Sequence, residues 1–472
     1  VRPVPGPPVL GDAHLAELSR GLRNSGTSSP AGWLFHRSRG LPTTHQFLPM
    51  IFRQHYLECL SQASYLIGDE TTGRAIVVDP VRDVEMYLVE ARTEGLEIEM
   101  VIETHIHADF VSGHLELAAT GVEVAFGSAA TTNYPIRKLE HGEVVDLGGV
   151  RLEILHTPGH TPESISILVF EHGDDHQPWA VLTGDTLFNG DVGRPDLLVS
   201  VGLGREDMAS ILFDSIHGQL MTLPDPTRMY PGHGAGSACG RNLSSVVWST
   251  IGEQRSSNYA VRLPDRDSFV AAICEGQPAQ PAYFPHAVAQ NTGQRSLLVV
   301  DPPDPLRLSD VVVAQAAGAV VIDTRDHQAF ARGHLIGSIN VGLEGRFAEF
   351  AGCVAMPSDE LVLVCDDGTE AEARIRLGRI GYDNVLGHLP SVQLLLADHP
   401  GVSRIASRLT ATQLSERLDT VSVLQILDVR TGAECEAGSL PEAIHIPLAQ
   451  LADRYVEMDP ELATVVFCAG GY

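Results

Sequence analysis

Residues 98–110 read IEMVIETHIHADF. An apolar run interrupted by Glu99 ends at Glu103 and delivers His105, His107 and Asp109 directly after it. A strand that places three metal-ligating side chains at its C-terminal end is how a layered α/β domain builds a shared site. Three later segments repeat the design. HTPGHT at 156–161 follows VRLEIL, TGDT at 183–186 ends WAVL, and YPGHG at 230–234 closes with His233. Each sets a histidine or aspartate beside small residues that permit a tight turn. A lone histidine is ordinarily a surface group or a hydrogen-bonded core group. Four such loops in one domain point instead to a metal.

Outward from that stretch, SYLIGD and RAIVVDP read as strands, 84–94 and 112–120 as helices, and 122–126 as a strand. Strands mixed with helices predict an α/β layered domain from Met50 to about residue 295. A stretch bearing Pro278, Pro281 and Pro285 is expected to be a wrapped tail or linker near its end. Residues 1–49 hold seven prolines and six glycines and no sustained period, so they read as a disordered extension or an upstream artefact. Met50, not Val1, opens folded-looking sequence.

A repeat follows. AVVIDTRDHQAFARGHLIGSINV at 319–341 is echoed by LQILDVRTGAECEAGSLPEAIHI at 424–446. Asp323 and Asp428 are 105 residues apart, as are Gly333 and Gly438. Each copy then reaches an apolar strand ending in cysteine, LVLVC at Cys365 and TVVFC at Cys468. Two α/β units are therefore expected at 305–400 and 409–472, with 401–408 as the linker.

At 472 residues the chain is long enough for two to four domains. Its 60 acidic and 32 basic side chains give a formal charge of −28, which excludes a nucleic-acid or anionic-membrane partner. No apolar run approaches the roughly 20 residues a membrane span needs. The longest, Val311 to Ile322, reads as a buried helix or strand edge. Seven cysteines, an odd number without a close-spaced framework, predict reduced thiols in the cytoplasm. The sequence is compatible with a homo-oligomer and does not specify one.

The four loops in this order resemble the metallo-β-lactamase superfamily over residues 50–295, which implies an αββα sandwich. His105, His107, Asp109, His160, Asp185 and His233 fall on that family's metal-loop positions. One departure matters. The two-metal hydrolases of the family, such as glyoxalase II, have histidine directly after the loop aspartate, and here Phe110 stands there. His105, His160 and Asp185 remain for one metal. Two imidazoles and a carboxylate suit non-haem iron(II) with open positions for substrate and O2.

The segments THIHADFVSGH, HTPGHTPESISI, GDTLFNGDVGRPDL and YPGHGAGSACG are similar to the persulfide dioxygenase branch. That resemblance implies one Fe(II) per chain and oxidation of a small thiol persulfide, such as glutathione persulfide, to sulfite. His107, Asp109 and His233 would orient the ligands or be remnants of a second metal site. Arg194 is a candidate to hold an anionic substrate, with pairing to Asp196 as the alternative. Cys239 is a candidate sulfur relay, with a buried structural thiol as the alternative. No Gly-rich dinucleotide fingerprint stands out, so no organic cofactor is expected. A thioester hydrolase and a non-catalytic sulfur carrier are the rival functions.

The repeats resemble rhodanese domains through the D-x-R opening, the GHLIGSINV segment and the strand-to-cysteine turn. In that family a C-x-x-G-x-R loop cradles an anionic sulfur donor. The first copy reads CDDGTE, with Glu370 where the arginine belongs and Asp366, Asp367 and Glu372 nearby; it is expected to be degenerate at Cys365. The second begins CAGGY with no acids, which makes Cys468 the expected persulfide carrier, exchanging sulfur with sulfite or thiosulfate. The arginine position lies past Tyr472, so this last unit is expected to be incomplete.

Overall fold

The computed structural model describes residues 50–197, 202, 204–241, 243–277, 279–420, 424–436 and 438–469. The expectations for 1–49 and for Gly471 and Tyr472 lie outside the described residues.

Two six-stranded sheets form the first domain, each with its strands in chain order. One runs Met50–Leu57, Gln62–Asp69, Arg74–Val78, Glu97–Glu103, Glu123–Gly127 and Arg137–Leu139. Its first two pairings are antiparallel and the rest parallel. The other runs Val144–Asp146, Arg151–His156, Ile165–Phe170, Ala180–Gly184, Arg228–Pro231 and Ser249–Thr250. Ile67, Ile76 and Ile102 from the first sheet meet Ile154, Ile167 and Leu182 from the second in one buried cluster. This apolar layer holds the sheets face to face.

Helices cover the two outer faces. Glu85–Glu94 and His114–Ala118 pack on the first sheet, where Tyr87 and Leu117 join its core. Arg205–Gly218 and Arg266–Cys274 pack on the second through Ala209, Leu212 and Phe269. The architecture is thus helix, sheet, sheet, helix. The strand Glu97–Glu103 explains why its sequence was legible: Glu97 and Glu99 are exposed, Ile98 and Met100 buried, and from Met100 onward every residue is buried.

The first repeat is a parallel sheet ordered Ile339–Asn340, Val320–Asp323, Leu361–Val364, Val385–Leu389. The second has Ile444–His445, Gln425–Asp428 and Thr464–Phe467 in the matching order, also parallel. Each aspartate grips its arginine two residues on. Asp323 receives Arg325 Nε and Nη2 at 2.9 and 2.6 Å, and Asp428 receives Arg430 at 2.9 and 2.7 Å. Both arginines also donate to the glycine that the repeat pairs, Gly333 O at 3.0 Å and Gly438 O at 2.9 Å.

Three local expectations change. The apolar run 311–322 is not one element: the helix Leu308–Ala316 ends near Gly318, which has φ +107°, and the strand Val320–Asp323 begins. The proline-bearing stretch leads into a helix, Phe284–Thr292, with Pro285 in its first turn, where a missing N–H costs nothing. The expected linker 401–408 contains Ser403–Arg404, which pairs with His334–Leu335 of the first repeat.

Candidate metal centre

The strand ends converge as the sequence predicts. His105, His107 and Asp109 follow Glu97–Glu103; His160 lies between Arg151–His156 and Ile165–Phe170; Asp185 follows Ala180–Gly184; His233 follows Arg228–Pro231. Glycine is required where these loops touch. Gly184 has φ +47°, and a Cβ there would lie 2.6 Å from Thr104 Oγ1. A Cβ at Gly232 would lie 2.6 Å from Asp185 Oδ1.

His105, His160 and Asp185 are all buried and can offer three ligand atoms within 4.8 Å of one another. His105 Nε2 is 3.9 Å and His160 Nε2 3.6 Å from Asp185 Oδ2. Both imidazole nitrogens are buried without a hydrogen-bond partner. Two ligand atoms each about 2.1 Å from a shared ion lie roughly 3–4 Å apart, so this donor set fits a metal. The opposite ring nitrogens are engaged: His105 Nδ1 sits 3.0 Å from Thr104 Oγ1, itself bonded to Asp79, and His160 Nδ1 sits 2.9 Å from Arg194 O. Burial first, then neighbouring imidazoles, hold the His105 pKa well below the ordinary range. Burial also lowers that of His160 against the pull of Asp185. Burial would raise the Asp185 pKa, but His233 and the two ligand histidines keep it well below the usual carboxylate range. Neutral imidazoles and an ionised carboxylate are the states that bind a cation.

The remaining loop residues have partners of their own, although His107 Nδ1 and Asp109 Oδ1 stay buried without a hydrogen bond. His233 bridges two carboxylates, with Nδ1 2.8 Å from Asp185 Oδ1 and Nε2 2.7 Å from Asp109 Oδ2. Burial opposes its charge, yet Asp109 and Asp185 push its pKa up to about 10. His107 turns Nε2 to Asp79 at 3.0 Å and Glu103 at 3.1 Å. Glu103 in turn meets His114 Nδ1 at 3.2 Å, and His114 Nε2 is 2.7 Å from the Tyr134 hydroxyl. Asp79 and Glu103 escaped the sequence analysis. Asp79 ends the apolar RAIVVDP strand as Asp185 ends WAVLTGD, so that signal was available.

Phe110 is fully buried, and its ring lies 4.3 Å from that of His107. Asn291, another residue the sequence did not single out, clamps this loop: its Nδ2 donates to His107 O and Phe110 O at 2.8 Å each, and Ser112 N donates to its Oδ1 at 2.9 Å. The Arg194 guanidinium is buried against Asp196 at 2.6 and 2.9 Å and donates to Ala238 O at 2.9 Å, the pairing offered as its alternative. Cys239 is buried and can offer its sulfur within 4.8 Å of donors on Asp109 and His233. Burial, then Asp109 and Asp185, raise its pKa well above the ordinary thiol value.

In the first repeat Cys365 is buried and its pKa is pushed up to about 12. Burial leads, and Glu370, Asp323 and Asp366 add to it; Asp323 was not anticipated. The Glu370 carboxylate accepts from Gly368 N at 3.0 and 3.1 Å, so the loop's own acid occupies the N–H that an anionic donor would use. In the second repeat Cys468 is only partly buried.

With this geometry in view, the matches to known proteins agree on class. The model of the metallo-beta-lactamase superfamily matches residues 57–233, and that of the rhodanese-like domain matches 310–389 and 410–472. The crystal structure of a metallo-beta-lactamase from Staphylococcus aureus is 34% identical, with a TM-score of 0.66, over 72% of this chain and 98% of that one. The chain belongs to the metallo-β-lactamase superfamily and carries rhodanese-like domains after the metal domain. Among individual relatives, the mitochondrial persulfide dioxygenase ETHE1 of Bos taurus is 27% identical over 248 residues, 52% of this chain and 88% of that protein. A hydroxyacylglutathione hydrolase of Polaromonas sp. is 37% identical over 177 residues, 36% of this chain and 61% of that protein. No helix among the described residues is long and apolar enough to cross a membrane.

Proposed function

We propose that the metal domain oxidises a low-molecular-weight thiol persulfide with O2, at one iron(II) held by His105, His160 and Asp185. The observation that carries this is the pair of buried, partnerless nitrogens, His105 Nε2 and His160 Nε2, beside the Asp185 carboxylate. A two-histidine, one-carboxylate donor set suits ferrous iron, and the likeness to ETHE1 supports the substrate class. The reaction balances as RSSH + O2 + H2O → RSH + SO3(2−) + 2 H+. The terminal sulfur gives up four electrons and one O2 accepts them, so no nicotinamide or flavin is required. When bound, iron(II) supplies a redox-active Lewis acid at which sulfur and O2 meet.

The chain's own groups prepare that centre. Thr104 and the Arg194 carbonyl hold the two ligand imidazoles by Nδ1 and leave Nε2 as the donor. His233 holds a proton between Asp109 and Asp185 and keeps Asp185 ionised. Arg194, committed to Asp196 and Ala238, positions His160 rather than meeting substrate. Cys239 is a protonated packing thiol at neutral pH rather than a relay. Cys468 carries sulfane sulfur, exchanging it with sulfite or thiosulfate, in a reducing cytoplasm.

Hydrolysis of a glutathione thioester is the second reading, favoured by the 37% identity to a hydroxyacylglutathione hydrolase. Phe110, which cannot ligate where the two-metal hydrolases carry a histidine, weighs against a second metal. Metal analysis with O2 uptake decides between them. One iron per chain, and O2 consumed as glutathione persulfide yields sulfite, is expected. His105→Ala, His160→Ala and Asp185→Ala should each abolish both, whereas His107→Ala keeps most of the iron. Two zinc ions, no O2 uptake and thioester turnover would establish hydrolysis instead.

A further inference from the structure

In the first repeat, a turn joins the helix Glu370–Gly378 to the strand Val385–Leu389, and the metal domain holds it from several sides. Arg82, with no exposed side-chain surface, donates to Gly378 O at 2.9 Å and to Asp383 at 2.7 and 2.9 Å. Val111 N donates to Arg379 O at 2.7 Å, and His286 Nε2 lies 3.0 Å from Gly381 O. Gly381 has φ +79°, and a Cβ there would lie 2.9 Å from His286 Nε2 and 3.1 Å from Val111 Cγ2. Only glycine allows that conformation and that approach together. The turn is therefore seated against the residue that follows Phe110.

The Arg379 side chain, itself buried, reaches two further segments. Its guanidinium meets Asp83 at 2.7 and 2.8 Å and donates to Cys59 Sγ at 3.5 Å. Each contact leads to the metal site. Val111 closes the loop that carries His105, His107 and Asp109. Asp83 lies four residues past Asp79, whose carboxylate accepts from Thr104 N and Oγ1 at 2.7 and 2.8 Å. Thr104 Oγ1 in turn lies 3.0 Å from His105 Nδ1. Cys59 sits in the turn whose far end flanks His233: Gly234 N donates to Ser61 O at 2.9 Å and Ala63 N to Gly232 O at 2.7 Å. Gln62, between those two, donates to Asp79 O at 2.7 Å and joins two of the paths.

We propose that Arg379 is a positioning residue for the metal centre, and that the first repeat serves the metal domain as a built-in support for its ligand loops. The inference goes beyond the reaction assigned above. It concerns how firmly His105 and its neighbours are held for a metal, and it applies to oxidation and hydrolysis alike. Arg379 acts by fixing three segments against one buried guanidinium. Outer groups that orient ligands cost about 10-fold to 100-fold in metal affinity when removed. A lysine is no substitute, because one ammonium does not reproduce the two parallel bonds to Asp83 and the third to Cys59. The repeat divides its roles between the ends of one helix: the disabled Cys365 loop precedes Glu370, and the docking turn follows Gly378.

The test titrates the metal-free full chain with Co(II), whose visible absorption reports both occupancy and ligand geometry. R379M keeps the backbone carbonyl and removes the guanidinium; it should weaken Co(II) binding about tenfold and shift the absorption band. R379M/D83N removes the pair without stranding the carboxylate and should show the same loss. R379K should recover only part of the affinity. G381A leaves every charge in place but pushes the turn off Val111 and His286; it should match R379M, and it carries the test if R379M does not fold. R374M, on the same repeat but bonded to Asp301 O, should bind Co(II) as the wild type does. A merely structural role would lower the melting temperature alone. Wild-type affinity and spectrum in R379M and G381A, whatever their melting temperatures, overturn the positioning role and leave the metal centre standing. A wild-type chain with no His105-dependent Co(II) band overturns both.

Discussion

The two rhodanese-like repeats share a latch and differ in almost everything around it. Asp323–Arg325 and Asp428–Arg430 make the same two-pronged pair and reach the same glycine carbonyl, 105 residues apart. The strand before Cys365, Leu361–Val364, is buried at every position, whereas Thr464–Phe467 alternates exposed and partly buried, with Val466 54% exposed. The first repeat is fastened to the metal domain and has a buried cysteine whose pKa is pushed up; in the second, the cysteine is partly open to solvent. The unit with the better-formed core is the one whose reactive loop has been filled by its own glutamate. Burial that makes a good structural partner is the same burial that disables a thiolate.

The contrast breaks most sharply at the docking arginine. Arg82→Met would leave Glu116 with Arg295 alone and Asp383 unpaired, at a cost of about 3 kcal/mol, toward the low end for a broken buried pair. We expect the metal domain and first repeat to unfold in one calorimetric transition in the wild type and in two in Arg82→Met. Arg454→Met, which removes an exposed pair in the second repeat, should leave the melting profile unchanged.

A smaller effect tests the latch. Asp323→Asn should destabilise more than Asp428→Asn, because Arg325 is 1% exposed and Arg430 15%. Asp428 also makes the second latch acid-labile. Hydrogen bonds from Arg430 outweigh burial and hold its pKa well below the ordinary carboxylate value. A depressed carboxylate stabilises fully above its unfolded pKa of about 3.9 and less as pH falls below it. Acid titration followed by limited proteolysis should therefore open the second repeat below about pH 4, and Asp428→Asn should remove that pH dependence.

The thiols provide the next comparison. At pH 8 iodoacetamide should label Cys468 at least about tenfold faster than Cys365, whose pKa near 12 keeps it protonated. Peptide mapping reads both sites in one sample, and equal labelling would show that the first loop opens. Glu370→Arg should give the smallest change. It frees Gly368 N–H and removes one acid, but burial, the leading cause, stays, so Cys365 labelling should rise only about twofold to fivefold.

Much of this was legible because strand-to-loop junctions are local. His105, Asp185 and His233 each stand within two residues of the end of a strand and His160 in the loop after one, and the pleat of Glu97–Glu103 is written in its glutamates. The repeat was legible because Asp, Arg and Gly recur at one interval, and the structure ties those three residues together. What escaped depends on distant chain. Nothing near Asn291 marks it as the clamp of residues 107–112. The proline-bearing stretch reads as a wrapped tail or linker, although a proline in the first turn, as Pro285 is here, starts a helix readily. Arg194 was read by its charge, whereas its backbone carbonyl touches the site.

The Asn291 clamp has a further consequence, in the order of events as the chain is made. His107 and Phe110 wait for a partner 184 and 181 residues downstream, and Val111 waits for the carbonyl of Arg379, farther still. Both strands that carry His105 and Asp185 will have left the ribosome long before either anchor does. During that interval the loop that bears the metal ligands lacks its clamps, and closing it requires a long-range contact of the slow kind. Ordering of that loop therefore waits first for Asn291 and then for Arg379 of the first repeat, and a chain arrested between residues 234 and 291 would hold every ligand with none of the clamps that set their loop.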